Sequence, residues 1–152
     1  MARITKRIVI HAPIATIKPF FEQPERWPDW YLALSAPTRL EGKGEEGTYS
    51  EHTYQLAGHA YPILHTVAEV KIDDVSAHWK GTFEGSFKGW HMWTYAPVDG
   101  DTEVTVEHEY TLPGKMLGRI VDALVVERMI ARNLEGSLEN LKMLCEERVP
   151  VA

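Results

Sequence analysis

The sequence contains a single cysteine, Cys145, among its 152 residues. One cysteine cannot form a disulfide within the chain, so a hydrophobic core rather than covalent cross-links must hold the fold. Cys145 falls within an apolar helical stripe, where a thiol is typically packed and inert rather than nucleophilic. A disulfide-rich secreted scaffold is therefore excluded, and we expect a protein of the reducing cytoplasm.

The chain also lacks a cluster of positive charge. It has 16 Lys+Arg against 22 Asp+Glu, a formal net charge of −6. The longest basic stretch, residues 3–7, is interrupted by Ile4 and Thr5. Nucleic acids and anionic lipid headgroups both bind to local positive fields. We therefore expect neither nucleic acid nor a membrane surface as a partner.

Long apolar runs are missing as well. The N-terminal run covers only residues 8–10 before His11 and Pro13, far short of a signal-peptide core. No run approaches the ~20 residues needed to cross a bilayer, so no membrane insertion is expected. Repeats, low-complexity segments and Gly/Ser linkers are absent too. We expect residues 1–152 to form one domain.

Aromatic rings and imidazoles, by contrast, are abundant. The chain has five Trp, six Tyr, four Phe and seven His. This is more ring surface, and more proton chemistry near neutral pH, than a core of this size requires. The placement of these residues in the fold is therefore the main clue to function.

The order of sequence periodicities predicts a seven-stranded antiparallel sheet. Residues 3–10 are β-branched and alternate, which is typical of a strand. Residues 38–112 keep a period of two, with turn residues at short intervals. The predicted strands of this meander are 37–41, 47–57, 60–72, 75–84, 86–97 and 102–112.

Two short helices are predicted after the first strand. Pro13 is well placed in the first turn of a helix that ends near Glu22. Pro19 should break or kink this helix, because it lacks the N–H that a helix interior requires. Pro24 and Pro28 bracket the second helical segment.

After Leu112-Pro113-Gly114 the pattern predicts one long helix of about 30 residues. Its apolar residues recur at three- and four-residue intervals: Leu117, Ile120, Val121, Leu124, Ala131, Leu134, Leu138, Leu141 and Cys145. Gly118 and Gly136 are costly in a helix interior, and close approach to the sheet or extra cavity volume would justify them.

The predicted fold class is α+β, with a strongly curved sheet wrapped around the C-terminal helix. Such a helix cannot fill the concavity alone, so we expect a cavity for a small molecule.

The last hairpin locates the inner face of the sheet. If Asp99-Gly100 forms a two-residue turn, His91 lies opposite His108, with Cβ atoms about 5 Å apart. The acidic alternate positions of the last strand then face solvent. The inward residues are His91, Trp93 and Tyr95 on one strand and Val104, Val106, His108, Tyr110 and Leu112 on the other.

The candidate ligand-binding residues are the rings of this face, the tryptophans of the second short helix, and polar residues placed inward by periodicity. They are Trp27, Trp30, Tyr54, His91, Trp93, Tyr95, His108, Tyr110 and Arg128. His52 shares the face of Tyr54 and ranks second. The sequence does not bring the histidines at 11, 52, 59, 65 and 78 together at one place, as it does His91 and His108.

Two interpretations of His91 and His108 remain open. They form either a hydrogen-bonded pair in a wet part of the core, or a pair that orients a ligand or transfers a proton. A metal is not expected, because two histidines fall short of the three protein ligands of a catalytic zinc site and no HExxH spacing occurs. We expect no cofactor.

The residues resemble the START-like helix-grip superfamily (SRPBCC), in its polyketide cyclase/dehydrase and lipid-transport branch. The matching segments are Ala12-Pro13 with Ile17, residues 24–30 (PERWPDW), residues 99–105 (DGDTEVT), Leu112-Pro113-Gly114, Asn133-Leu134 and residues 137–142 (SLENLK). Lys18-Pro19 and Gln23 depart from the pattern, in the first helix and near the cavity entrance. The resemblance implies a helix-grip fold and a hydrophobic or amphipathic small ligand.

Three functions follow from these observations. The leading hypothesis is a protein that binds a small hydrophobic or aromatic molecule, lipid- or polyketide-like, between sheet and helix. The alternative is a cyclase or dehydratase with His108 or His91 as general base, and Tyr95 or Arg128 polarising a carbonyl. The third is a co-chaperone-like interaction module, which would need a large apolar patch on the outer sheet. The oligomeric state is left open.

Overall fold

Seven antiparallel strands form one sheet. The computed structural model describes residues 2–112 and 123–147. Along the sheet the strands follow the order β1-β7-β6-β5-β4-β3-β2. Their bounds are β1 Ala2–Ile10, β2 Arg39–Glu41, β3 Tyr49–Leu56, β4 His59–Ile72, β5 Ala77–Gly85, β6 Lys88–Val98 and β7 Asp101–Thr111. The predicted seven-stranded antiparallel sheet is confirmed. The first strand, whose place in the sheet the sequence did not predict, is paired with the last.

The predicted register of the last hairpin is also confirmed. Asp99 and Gly100 have φ values of 48° and 85°, so both adopt the left-handed conformation of a type I′ turn. This turn matches the twist of the flanking strands and fixes their pairing. His91 is paired with His108, and Gly89 with Tyr110.

The first helix differs from its prediction. α1 spans Ile14–Glu22 without a break, and Pro19 lies inside it. Phe20 and Phe21 follow Pro19 directly, and both are buried. Their burial stabilises the last turn of α1 and offsets the hydrogen bond that Pro19 cannot make. A 3-10 helix follows at Pro24–Asp29.

The C-terminal helix, α2, spans Ala123–Glu147. Its buried residues are Val126, Ile130, Leu134, Ser137, Leu138, Leu141 and Cys145. Four residues of the predicted apolar stripe are buried: Leu134, Leu138, Leu141 and Cys145. Leu124, from the same predicted stripe, is 50% exposed. Three successive apolar residues, 124–126, open the helix, so periodicity alone did not identify which of them faces inward. The predicted start of this helix, including Leu117, Gly118, Ile120 and Val121, lies outside the described residues.

Because the buried face of α2 differs from the predicted one, Arg128 also lies on a different face than predicted. The sequence places it on the inner stripe with Leu124, but in the structure Arg128 is exposed. Its predicted contact with the cavity is therefore wrong, because the buried row passes through Val126 and Ile130 instead.

Gly136 lets α2 approach a loop closely, whereas the prediction was a close approach to the sheet. A Cβ at this position would meet Cδ1 of Leu32, in the loop after the 3-10 helix. The backbone N–H of Leu32 donates a hydrogen bond of 2.8 Å to Oγ of Ser137 in α2. These two contacts attach the tryptophan-bearing segment to α2.

Candidate ligand-binding site

A small cavity lies on the inner face of the sheet. Its volume is about 60 Å³, and its walls come from the 3-10 helix and the loop after it, strands β3 to β7, and one turn of α2. The residues that line it are Trp27, Trp30, Tyr31, Leu34, His52, Tyr54, Ile63, His65, Trp79, Phe83, Phe87, His91, His108 and Ile130. Most of these walls are aromatic.

The structure brings some of the predicted site residues together and separates others. Those that line the cavity are Trp27, Trp30, Tyr54, His91 and His108. Trp93 and Tyr95 point inward but are fully buried, and they pack in the core rather than along the cavity. Tyr110 is buried outside the lining, and Arg128 is exposed.

Both tryptophans of the 3-10 helix are anchored to the end of α1. Trp27 Nε1 donates a hydrogen bond of 3.0 Å to the carbonyl of Phe21, and Trp30 Nε1 donates one of 3.0 Å to the carbonyl of Phe20. The last carbonyls of a helix have no partner within the helix, so the indoles satisfy them. The polar atom of each indole is thereby occupied, and the rings offer only apolar surface to the cavity.

Stacked rings form one wall of the cavity and the core behind it. The ring centroids of Trp27 and Trp79 lie 5.6 Å apart, and those of Trp79 and Trp93 lie 6.0 Å apart, with nearly parallel planes in both pairs. Trp30 meets Trp93 edge-on at 5.3 Å. Each such pair contributes about 0.5–1.5 kcal/mol beyond the burial of its surface.

Two cavity histidines are joined by a short hydrogen bond. Nε2 of His65 lies 2.7 Å from Nε2 of His91. Trp93 Nε1 donates a hydrogen bond of 3.0 Å to Nδ1 of His91. His91 is thus hydrogen-bonded to His65 rather than to its cross-strand neighbour His108, whose ring centroid is 6.1 Å away.

His52 is fully hydrogen-bonded within the wall. Its Nδ1 lies 2.9 Å from the carbonyl of Ser35, which can only accept, so Nδ1 donates. Its Nε2 then accepts from Oγ of Ser50 at 2.8 Å. The ring stacks on Trp27 with a centroid distance of 5.8 Å. His52 therefore holds Trp27 in place.

Three buried polar atoms in the cavity wall or beside it have no partner in the part of the chain that the structure describes. Among the described residues, Nδ1 of His65, Nδ1 of His108 and Oη of Tyr110 are buried and make no hydrogen bond. The rings of His108 and Tyr110 are neighbours, with centroids 5.7 Å apart. Buried polar groups are normally satisfied, so these atoms mark a place for a polar partner.

Burial keeps the histidines of the cavity neutral. It lowers the pKa of His65 to about 3 and that of His108 to about 4. The pKa of His91 also falls well below its ordinary value, because burial and then the neighbouring His65 disfavour a charge. A general acid or base works best with a pKa near the working pH, so this environment favours binding over proton transfer.

A comparison with protein families identifies the chain. The family model described as polyketide cyclase / dehydrase and lipid transport matches residues 1–146. The chain belongs to this family. A search of curated protein sequences gave no significant match.

Solved structures confirm the helix-grip fold of this family member. The aromatase/cyclase ZhuI from Streptomyces sp. R1128 superposes with a TM-score of 0.75 at 12% identity, over 99% of this chain and 96% of that one. The protein TTHA0849 from Thermus thermophilus gives 0.73 at 19% identity, over 98% and 100% of the two chains. A START superfamily protein from Mycobacterium smegmatis gives 0.62 at 16%, over 97% and 96%.

Sequence reasoning missed part of the cavity of this polyketide cyclase/dehydrase-family protein. The missed lining residues are Tyr31, Leu34, Ile63, His65, Trp79, Phe83, Phe87 and Ile130. The expectation that His52 and His65 lack convergent placement is wrong, since both line the cavity. The available signal was the alternation of Ile63, His65 and Val67 on β4, which are all buried.

The part of this family member that the structure describes has neither a metal-binding cluster nor a membrane-spanning helix. Within residues 2–112 and 123–147, no group of three His, Cys, Asp or Glu side chains could hold a metal ion. Within the same ranges, no helix combines the length and the apolar character needed to cross a membrane.

Proposed function

We propose that this polyketide cyclase/dehydrase-family protein binds a small, mostly apolar molecule in the cavity between its sheet and α2. One observation carries the proposal: an aromatic cavity whose histidines His65 and His108 each have a buried Nδ1 without a partner among the described residues. The rings supply apolar surface, which stabilises a bound molecule by about 25 cal/mol per Å² buried. The unpartnered nitrogens supply polar contacts. The family description, which includes lipid transport, supports the same function.

The size of the cavity constrains how such a ligand enters. About 60 Å³ is space for a few water-sized groups, whereas pockets for drug-sized ligands measure roughly 300–1,000 Å³. A lipid- or polyketide-like ligand therefore requires the walls to separate. Nδ2 of Asn133 in α2 donates a hydrogen bond of 2.8 Å to Oη of Tyr54, a cavity residue on β3. Movement of α2 away from β3 would break this bond.

Tryptophan fluorescence tests the proposal. Four of the five tryptophans lie on the inner side, three of them in the cavity wall, while Trp90 is only partly buried and carries Arg3 over its ring at 5.5 Å. The variant Trp90→Phe removes the outer signal. We expect fatty alcohols or one- to three-ring aromatics to change its emission saturably at micromolar concentration. Unchanged emission with every class of ligand would overturn the proposal.

An enzyme of the cyclase or dehydratase type is the second candidate. The neighbouring unpartnered atoms of His108 and Tyr110 favour it, because they could polarise or protonate a substrate oxygen. The lowered pKa of His108 and the pKa of Tyr110, raised by burial to about 12, argue against proton transfer at neutral pH. His108→Ala would separate the two functions, since an enzyme loses turnover while it keeps most of its binding.

The structure gives little support to a co-chaperone-like interaction module. Such a module needs a large contiguous apolar patch. Among the described residues, the exposed large hydrophobic side chains are scattered over two loops, the end of β6 and α2: Leu32, Val75, Val98, Leu124, Val125 and Met143. Only Leu124 and Val125 are adjacent in sequence, and they are on α2 rather than on the outer sheet.

A further inference from the structure

The direction of the hydrogen bonds around His91 follows from the chemistry of Trp93. An indole N–H can donate but cannot accept. Since Trp93 Nε1 donates to Nδ1 of His91, that nitrogen bears no proton, and the neutral ring carries its proton on Nε2. His91 Nε2 therefore donates across 2.7 Å to Nε2 of His65.

This direction also sets the tautomer of His65. Its Nε2 accepts, so the single proton of the neutral ring is on Nδ1. The opposite tautomer, or a protonated His65, would place two N–H groups head to head across 2.7 Å. Nδ1 of His65 is therefore a fixed donor, and its ring lines the cavity. Trp93 acts as a positioning residue, because it fixes this donor through His91.

The donor of His65 has nothing to donate to within the described parts of the chain. The side chain is only 4% exposed, and its Nδ1 has neither a protein partner in residues 2–112 and 123–147 nor contact with bulk water. A buried N–H without an acceptor is costly, whereas a bound molecule with an acceptor atom removes that cost.

We propose that His65 selects the ligand: its Nδ1–H donates a hydrogen bond to a neutral acceptor oxygen, such as a ketone carbonyl, on the bound molecule. The inference rests on the proposed ligand-binding function and specifies its chemistry. An acceptor is required because His65 offers a proton. A neutral acceptor is favoured because none of the described lining residues is Lys or Arg, so a carboxylate would be buried without a countercharge.

A matched pair of probes tests this selection. Acetophenone and α-methylstyrene have the same shape, but the carbonyl oxygen of the first is a CH₂ group in the second. The dissociation constant of each is measured by NMR titration with the wild type and with His65→Phe. The ratio of the two constants cancels unrelated effects of the substitution on the cavity. We expect His65→Phe to reduce the preference for acetophenone about tenfold, the effect of one hydrogen bond.

His59→Phe is the control, since His59 is exposed and does not line the cavity. It should leave the preference unchanged. His108→Phe tests the competing donor, because His108 is the other cavity histidine with an unpartnered Nδ1; it should change the preference less than His65→Phe. If both probes bind and His65→Phe does not change the ratio, or His108→Phe changes it more, the selection by His65 is overturned while ligand binding stands. If neither probe shows saturable binding, the selection by His65 is overturned, and the fluorescence titration with the other classes of ligand decides whether the binding function stands.

The wild-type protein provides a second test that does not depend on a variant. Long-range ¹H–¹⁵N spectra distinguish the two nitrogens of each imidazole. We expect a proton on Nδ1 of His65 and on Nε2 of His91, and a shift of the His65 Nδ1 resonance when acetophenone is added. A proton on Nε2 of His65 would overturn the inference.

Discussion

His65 and His91 share a hydrogen bond although their strands, β4 and β6, are not neighbours in the sheet. Strands two positions apart are separated by about 10 Å, and the two imidazoles bridge this gap above β5. The residue of β5 beneath them is Gly81, which is paired with His91. A Cβ at Gly81 would collide with Nε2 of His65 and come within 2.7 Å of Nε2 of His91. The missing side chain is therefore what allows the bond.

Gly81→Ala should break this bond. The added methyl group displaces both rings and leaves buried nitrogens without partners, so we expect the free energy of unfolding to fall by about 1–3 kcal/mol. Urea denaturation at pH 7.5 measures the loss. Thr82→Ala is the matched control, because Thr82 is exposed on the other face of β5. An equal effect of the two substitutions would mean that the space above Gly81 does not matter.

The buried histidines should make stability depend on pH. Burial lowers the pKa of His65 from 6.5 to about 3, so between these values the unfolded state binds the proton and the folded state does not. The contribution of His65 is complete above pH 6.5 and is lost as the pH falls toward 3. At pH 5 we expect a loss of about 2 kcal/mol from His65 alone, measured by urea denaturation at pH 7.5 and 5.

The control for the pH effect is His59→Gln, because His59 is exposed at the start of β4. This variant should keep the pH dependence of the wild type, and His65→Phe should reduce it. A wild-type protein equally stable at pH 7.5 and 5 would show that the cavity histidines are not held neutral.

Asn133→Ala should loosen the contact between α2 and the sheet. Loss of the hydrogen bond to Tyr54 is expected to lower the free energy of unfolding by about 1 kcal/mol and to raise the association rate of ligands larger than the cavity. Stopped-flow fluorescence measures that rate. Glu139→Ala, at an exposed position of the same helix, should leave it unchanged. An unaltered rate in Asn133→Ala would mean that ligands enter without movement of α2 past Tyr54.

The parts of the fold that sequence reasoning predicted are those fixed by local geometry. The Asp99-Gly100 turn has two residues with positive φ, so it determines the pairing of β6 with β7 down to His91 and His108. Pro19 shows the limit of local rules, since the tertiary burial of Phe20 and Phe21 keeps α1 continuous through it. The first turn of α2 shows the same limit, because its run of apolar residues fits more than one inward face.

The missed part of the site depends on contacts between strands that are not adjacent. The pairing of β4 with β5 shifts between Val67 and Glu69. Because of this irregularity, the partner of His65 on β5 cannot be found by counting residues from the turn between the strands. The alternation around His65 was visible in the sequence. Its bond to His91 was not, because it depends on the curvature of the sheet and on the gap above Gly81.

A crystal structure of the protein with acetophenone tests the central claim most directly. The account predicts electron density for the ring against the aromatic wall that includes Trp27 and Phe83, with the carbonyl oxygen about 2.7–3.2 Å from Nδ1 of His65. An empty cavity at saturating ligand, or a bound ligand whose oxygen points away from His65, would contradict it.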